Sequence, residues 1–258
     1  MRPTIIFALV LIFAVLPTNA QNAGGLAAIV ESGVEGPVLV IDLVKFKPDS
    51  EARYNQYDAI AEAKVISLGG EYVFRGSAKD VPGVDNKWDR LTMRKYPSAK
   101  AVMDMGSSTE YRGAFPHRIA SVAESFVYAF SGELPAILGQ DARDPMNPVP
   151  TPKSEDAVYM LNLLRFKDDG GKMKYYREYG AAVVPMVTAK NGGPEINLKG
   201  IGPVIADEEI DRLILVRYPS VEAFREMITS DAYQKIAHLR TESIELGLLF
   251  PFAYEARN

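Results

Sequence analysis

The sequence predicts an α+β protein made of two tandem copies of one βαββαβ unit, in which each copy covers the sheet of the other. Two observations support this prediction. The stretch DRLTMRKYPSAKAV at residues 89–102 recurs as DRLILVRYPSVEAF at residues 211–224. The first predicted strand, Val38–Phe46, is apolar on both faces, so a sheet standing alone would expose a large apolar surface.

The repeat extends well beyond this stretch. The two copies align without a gap from Asp89 and Asp211 onward, and upstream VKFKPD matches LRFKDD. The glycine pair 69–70 is matched with the pair 192–193. Self-similarity over about a hundred residues indicates one structural unit repeated once. The first unit spans residues 37–131 and the second spans 157–255, and a Pro-rich linker at 132–156 joins them.

Each element follows from local signals. The β-branched run Val38–Phe46 predicts a strand, and the helix after it ends at a glycine pair. Pro97 ends the third strand because it cannot donate a hydrogen bond to the sheet. Ser98 and Ser108 are suited to cap the next two helices, and Pro116 is expected to interrupt the second of them. The predicted strands and helices of the first unit are Val38–Phe46, Ser50–Leu68, Glu71–Arg75, Trp88–Tyr96, Ser98–Met105, a helix from Ser108, and Ser125–Phe130. Those of the second are Ala157–Phe166, Lys172–Lys190, Glu195–Lys199, Ile210–Tyr218, Ser220–Ile228, Ser230–Leu246 and Leu248–Tyr254.

The order β-α-β-β-α-β is the ferredoxin-like arrangement, with a four-stranded antiparallel sheet and both helices on one face. A second copy can cover the bare face of the sheet in cis. Residues 21–36 are interpreted as a Gly/Ala-rich lead-in without an element of its own.

Composition excludes several classes of function. The chain has 258 residues, a formal charge of −4 and no cysteine. Basic residues form no run or stripe, which argues against nucleic-acid binding. The absence of cysteine excludes disulfides, thiolate catalysis and cysteine–metal sites. No catalytic triad, P-loop or G-x-G-x-x-G is evident, and neither a metal nor a cofactor is predicted.

The N-terminus has the features of a signal peptide. Arg2 precedes an apolar run at residues 5–16, followed by Pro17 and small residues up to Ala20. The run is too short to span a bilayer comfortably. We therefore expect cleavage after Ala20, export to the periplasm or the medium, and a mature protein without stable membrane insertion.

These motifs resemble the dimeric α/β-barrel superfamily and, within it, the domain-of-unknown-function 1330 family. The resembling motifs include Arg75-Gly76, the DRL…YPS stretches, and Tyr111 with Arg118 and their counterparts Tyr233 and Arg240. The second unit departs from the pattern in having PEINLKG where an Arg-Gly pair is expected. The resemblance implies two ferredoxin-like units forming a pseudo-dimeric α/β barrel with a central pocket. The superfamily includes cofactor-free monooxygenases, lactone isomerases and haem enzymes, so the resemblance leaves the reaction open.

Two arginines lie on stripes where apolar residues are expected. Arg118 falls about 20° from Tyr111 on the apolar face of its helix, and Arg240 has the same position relative to Tyr233. A guanidinium on such a stripe stays charged and needs a partner. The partner is either a carboxylate or carbonyl of the fold, or an anionic ligand.

A polar residue lies in the middle of each first strand, Asp42 in one unit and Asn162 in the other. A buried Asp42 is a candidate proton acceptor, or it forms a salt bridge with Arg118 or another arginine. Arg90 and Arg212 either point into the pocket or lie at a strand end beside solvent. His117 and His238 fall off the apolar stripes, which disfavours haem ligation.

Two functions remain open. In one, a small-molecule site lies between the sheets, with Asp42 as base for proton-transfer or oxygenase chemistry. Its candidate ligand-binding residues are Arg118, Arg240, Asn162, Arg90, Arg212, Tyr111 and Tyr233. In the other, the protein is a non-catalytic ligand-binding or protein-interaction module, with haem binding as a weaker alternative.

Overall fold

The structure is a computed structural model that describes residues 25–132 and 154–256. The predicted signal peptide lies outside the described residues, and so does most of the predicted linker. In the described ranges no helix is both long enough and apolar enough to cross a membrane.

Eight strands close into a single barrel. The first unit contributes β1 (Val38–Phe46), β2 (Glu71–Ala78), β3 (Arg90–Tyr96) and β4 (Val122–Ser131). The second contributes β5 (Val158–Phe166), β6 (Gly193–Ile205), β7 (Arg212–Tyr218) and β8 (Ile244–Tyr254). The order around the barrel is β1-β3-β2-β8-β5-β7-β6-β4. The predicted pseudo-dimeric α/β barrel is therefore confirmed.

The two units meet edge to edge at two seams, where β2 pairs with β8 and β4 pairs with β6. Strand β6 is longer than predicted because its first half pairs with β7 and its second half crosses to β4. Closure in this way leaves neither sheet with an unpaired edge strand that could pair with another chain. It also covers the apolar faces of both sheets.

The inner faces of both sheets form one apolar core. Side chains alternate along each strand, so Leu39, Ile41 and Leu43 point inward. Large rings from both units meet them there, including Phe74, Phe126, Tyr128, Phe130, Tyr159, Phe250 and Phe252. These seven rings are all at most 6% exposed, so the barrel interior is packed with protein side chains where a central pocket was expected.

The helices cover the outside of the barrel. Their bounds are α1 (Gly25–Glu31), α2 (Glu51–Ser67), α3 (Ala99–Ser107), α4 (Thr109–Ser121), α5 (Gly171–Lys174), a π-helix (Tyr175–Gly180), α6 (Ala181–Ala189), α7 (Val221–Thr229), α8 (Asp231–Gln234) and α9 (Ala237–Ser243). Helix α1 was not predicted. Its Ile29 is fully buried in the helix-side core of the first unit, so the lead-in is part of the fold.

The helix predicted to begin at Ser108 and its counterpart predicted to begin at Ser230 both differ from expectation. Helix α4 continues through Pro116, which removes only one backbone hydrogen bond. The corresponding segment of the second unit has no proline, yet it divides into α8 and α9 at Lys235–Ile236. The predicted helix 172–190 is also irregular, because its middle turn is a π-helix.

The structure corrects the alignment of the glycine pairs by one residue. Gly70 and Gly192 both approach the backbone carbonyl of the neighbouring strand closely. Gly69, with φ of 77°, therefore corresponds to Asn191, with φ of 57°. Both end a helix in the left-handed region, which glycine and asparagine adopt most readily.

We expect Asn191→Ala to lower the free energy of unfolding by about 1 kcal/mol, because alanine is strained in the left-handed region. Asn191→Gly should be close to neutral. Urea denaturation of both variants measures the difference. Equal stability of the two variants would contradict the assignment of this helix end.

Candidate functional site

The predicted site residues lie on the outer face of the barrel, beneath the helices. Because Leu39, Ile41 and Leu43 point inward, the alternating residue Asp42 points outward, toward α2 and α4. The same alternation places Asn162 beneath the helices of the second unit. The expectation that these residues converge on a cavity between the sheets is therefore wrong.

In the first unit a network of salt bridges lies between the sheet and the helices. Arg118 donates to both carboxylate oxygens of Asp42, at 2.6 Å to Oδ2 and 2.9 Å to Oδ1. Arg94 bridges Asp42 at 3.3 Å and Asp58 at 3.1 Å. Arg75 also binds Asp58, at 2.9 Å. This network is the salt-bridge alternative that the sequence left open for Asp42 and Arg118.

The salt-bridge network keeps Asp42 ionised. Burial alone would raise the pKa of its carboxyl group, but the guanidiniums of Arg118 and Arg94 outweigh burial and hold the pKa below its usual value. Asp42 is 1% exposed. A carboxylate with low proton affinity and no access to solvent is poorly suited to act as a general base.

Arg90 and Arg212 are the first residues of β3 and β7, so the expected strand-end position is right, but at 4% and 2% exposure they do not lie beside solvent. The alternative that they point into a central pocket is wrong, because their guanidiniums lie over helix-side rings. Arg90 donates to Glu51 at 2.5 Å and to Asn55 at 2.6 Å. The guanidinium of Arg212 lies 5.8 Å from the centre of the Tyr176 ring. Both arginines help to attach the first helix of a unit to its sheet.

The second unit keeps Arg240 but lacks the charged groups that surround Arg118. Strand register pairs Val40 with Arg94 and Met160 with Val216, so valine replaces the bridging arginine. Three further replacements follow from the alignment: Asn162 stands for Asp42, Gly180 for Asp58, and Ala237 for Phe115. The second unit therefore has fewer carboxylates and less side-chain volume in the same place.

At these positions the helices cover the sheet of the second unit less completely than in the first. The first unit has one helix-side core, but the second has two, which meet at Val183, Val216 and Tyr233. All three residues are partly exposed to solvent, as are Asn162 and Leu249 on the middle of the sheet. We call the partly exposed area formed by these five residues and Arg240 the unit-two cleft.

Arg240 lies against the sheet at this cleft. An added Cβ on Gly247 would meet its Nη2 at 3.1 Å, so the guanidinium lies over the backbone of β8. Burial raises the pKa of Tyr175 to about 12, and the positive charge of Arg240 opposes that rise. Burial also raises the pKa of Tyr179, and Arg240 again opposes the rise. The positive charge of Arg240 therefore acts on both phenols.

No carboxylate pairs with Arg240 among the residues that the structure describes. Arg118 is 6% exposed and neutralised, whereas Arg240 is half-buried. A guanidinium does not lose its proton in a protein, and withdrawing an unpaired charge from water is costly. The position thus offers a fixed positive charge to an anion.

Tyr175 and Tyr179 of the π-helix lie next to the cleft. Tyr233 and Tyr111 occupy corresponding helix positions, and their hydroxyls pair with Tyr179 of the π-helix and Tyr57 of α2. The oxygens are 2.8 Å apart for Tyr57–Tyr111 and 3.4 Å apart for Tyr179–Tyr233. Tyr175 and Tyr179 belong to the π-helix, a distortion that occurs frequently at functional sites.

Sequence reasoning missed Arg94, Asp58 and the replacements at Val216, Gly180 and Ala237. Their signal was present in the repeat, as positions where the two units differ in charge or size. The prediction relied mainly on the residues that the units share, and the differences it recognised were Asp42 against Asn162, PEINLKG against the Arg-Gly pair, and Pro116.

The histidines do not contribute to the cleft. His238 is exposed on α9, and His117 lies on α4 in the first unit. The residues that define the cleft include no imidazole or thiolate for haem iron, and their one phenol, that of Tyr233, is paired with the Tyr179 hydroxyl at 3.4 Å. The part of the chain that the structure describes also contains no group of three acidic or histidine residues placed to hold a metal ion.

Comparison with known proteins agrees with this architecture. The family model of DUF1330, a domain of unknown function, matches residues 39–129 and 157–250. An anthrone oxidase-like protein of known structure has a TM-score of 0.55 at 10% identity, over 87% of this chain and 93% of its own. A mutant chlorite dismutase from Candidatus Nitrospira defluvii has a TM-score of 0.54 at 9% identity, over 88% and 94% of the two chains. No curated protein matches the chain. At such identities the structural similarities show the fold alone, that of a dimeric α/β barrel.

Proposed function

The chain belongs to the DUF1330 family, and we propose that it is an exported binding protein for a small organic anion, which it holds in the unit-two cleft. The first unit has a structural role only, because its salt-bridge network occupies the place that the cleft has in the second unit. The protein therefore binds one ligand per chain.

The observation that carries this proposal is the contrast between two equivalent arginines. Arg118 makes a bidentate pair with Asp42, whereas Arg240 has Asn162 at the corresponding place on the sheet. Asn162 uses its amide to donate to the backbone oxygen of Met160 at 3.1 Å, and it carries no charge. A carboxylate from a ligand would supply the paired geometry that guanidinium favours.

Binding is favoured over catalysis by the groups that line the cleft. Its defining residues are Asn162, Val183, Val216, Tyr233, Arg240 and Leu249, and none of them is a carboxylate or a histidine. The neighbouring phenol of Tyr179 has a raised pKa because of burial, so it is a weak acid. Asp42, the candidate base, lies in the other unit and is held in ion pairs.

Replacing Arg240 by glutamine is expected to weaken binding of small carboxylates by about 10- to 100-fold, the value of a hydrogen bond to a charged group. Arg225→Gln is the matched control, because Arg225 is exposed on α7 and 49% accessible. Calorimetric titration of a panel of monocarboxylates measures both affinities. Equal binding by the two variants would remove Arg240 from the site and, with it, the proposal.

Export rests on the apolar run at residues 5–16. We expect the protein purified from an exporting host to begin at Gln21. Mass determination of the intact protein tests this expectation, and a retained N-terminal segment in the purified protein would contradict it.

A further inference from the structure

The first unit shows which groups complete the surroundings of its arginine. The Asp42 carboxylate binds the guanidinium of Arg118, which lies 5.3 Å from the centre of the Tyr57 ring. Phe115 packs its ring against two tyrosines, with centroids 5.0 Å from Tyr111 and 6.4 Å from Tyr57. In the first unit, therefore, the Asp42 carboxylate neutralises the arginine and the Phe115 ring packs against the tyrosines.

The second unit lacks both groups. Asn162 replaces the carboxylate, and Ala237 replaces the phenyl ring. Within the described ranges Tyr233 makes no ring contact, although Tyr111 makes two. Tyr233 is also half-buried, so its ring is held in place by the fold while part of its surface remains uncovered. The cleft therefore lacks an anion at Arg240 and an aromatic partner at Tyr233.

We propose that the ligand of the unit-two cleft is an aromatic monocarboxylate, whose carboxylate takes the place of Asp42 and whose ring takes the place of Phe115. This inference rests on the proposed function and adds the chemical class of the ligand. An aromatic ring packs against tyrosine in edge or offset geometry, which is worth more than the burial of its area alone.

The composition of the cleft disfavours other anions. Val183, Val216 and Leu249 form apolar walls, which favour an organic body over inorganic phosphate. Arg240 is the only cationic residue among the six that define the cleft, so a second carboxylate would be buried without a counter-ion. The ligand is therefore singly charged at its bound end and apolar for the rest of its length.

The test compares the affinities of aromatic and saturated carboxylic acids that carry the same charge. Benzoate, phenylacetate and 3-phenylpropionate are titrated into the full-length protein beside their cyclohexyl analogues, acetate and inorganic phosphate. We expect the best aromatic acid to bind about 3- to 10-fold more tightly than its cyclohexyl analogue, the usual value of an aromatic pair. Acetate and phosphate should bind more weakly than either.

Two variants separate the ring site from the charge site. Ala237→Phe restores the side chain of the first unit, so it should remove the preference for aromatic acids and leave acetate binding unchanged. Ala237→Ser, which adds little volume, is the matched control and should keep the preference. Thermal denaturation of both variants establishes that they are folded before their affinities are compared.

The outcomes distinguish this inference from the function on which it rests. If carboxylates bind through Arg240 but aromatic and cyclohexyl acids bind equally, the aromatic class is wrong and the anion site stands. An unchanged aromatic preference in folded Ala237→Phe would likewise overturn the ring assignment. If no carboxylate binds the wild-type protein, the proposed function itself fails.

Discussion

Asp42→Asn is expected to lower the free energy of unfolding by about 3–5 kcal/mol, the cost of removing one partner from a buried ion pair. The substitution keeps the size of the side chain and removes its charge. Arg118 would then have no carboxylate partner among the described residues, while Arg94 would keep its contact with Asp58 at 3.1 Å. Because a guanidinium cannot neutralise itself by losing a proton, the unpaired charge of Arg118 would stay buried.

Asn162→Asp is the matched control for this effect. It places a carboxylate at the corresponding position of the second unit, where the strand is partly exposed. We expect its stability to stay within about 1 kcal/mol of the wild-type value, since a half-exposed ion pair is worth little. Its carboxylate should compete with ligands for Arg240 and abolish their binding. Chemical denaturation and ligand titration of the two variants measure both effects.

The pH dependence of stability gives a second measurement on Asp42. Its folded-state pKa is lowered, so the stability that its ionised form contributes is fully present above the unfolded pKa of about 3.9. That contribution is lost as the pH falls below this value and through the lower folded-state pKa. We expect Asp42→Asn to have a shallower loss of stability in this acid range. Parallel acid-denaturation curves for variant and wild type would show that folding does not lower the pKa of Asp42.

The fold was predictable because the repeat and the strand pattern agree. The recurrence of residues 89–102 at 211–224 fixed the order of elements, and strands apolar on both faces indicated a second covering layer. The orientation of Asp42 was not predictable for the same reason. When both faces of a strand are apolar, alternation alone does not tell which face meets the helices and which meets the other sheet.

The site was predicted in part. Helical spacing identified Arg118 and Arg240 as cationic residues on an apolar stripe, and the structure places both beneath the helices. The different surroundings of these arginines depend on residues distant in sequence, above all Arg94 and Val216 on the neighbouring strands. Identical residues showed that the units share a fold, whereas the proposed ligand site rests on the positions at which the units differ.

Gly200→Ala is expected to disrupt closure of the barrel at the seam between β4 and β6. Gly200 lies where β6 leaves β7 and crosses to Phe130 of β4. A Cβ at this position would lie 1.8 Å from the carbonyl oxygen of Ile210, far inside van der Waals contact. Relief of this clash requires a shift of the backbone, since the obstacle is main chain and cannot change rotamer.

The obstructing peptide is itself held from the other unit. The Tyr128 hydroxyl accepts a hydrogen bond from the Ile210 amide at 2.9 Å and is 3.2 Å from the Ile210 carbonyl oxygen. Gly200 also donates its amide to the Asp211 carbonyl at 2.9 Å. Movement of residues 210–211 would therefore break contacts both within the second unit and between the units. We expect a loss at or above the upper end of the roughly 1–3 kcal/mol that overpacking costs.

Gly193→Ala on the same strand is the matched control. An added Cβ at Gly193 has no heavy atom within 4 Å, and its φ is not positive, so a change below about 0.5 kcal/mol is expected, as for an unobstructed surface position. Urea denaturation compares the two variants, and the fluorescence of Trp88, buried in the barrel core, reports on closure. Because the obstructing Ile210 carbonyl belongs to the second unit and is contacted by Tyr128 of the first, equal stability of the two variants would mean that residues 210–211 do not pack against β6 at this seam. Closure at this seam would then rest on the pairing of β4 with β6 alone.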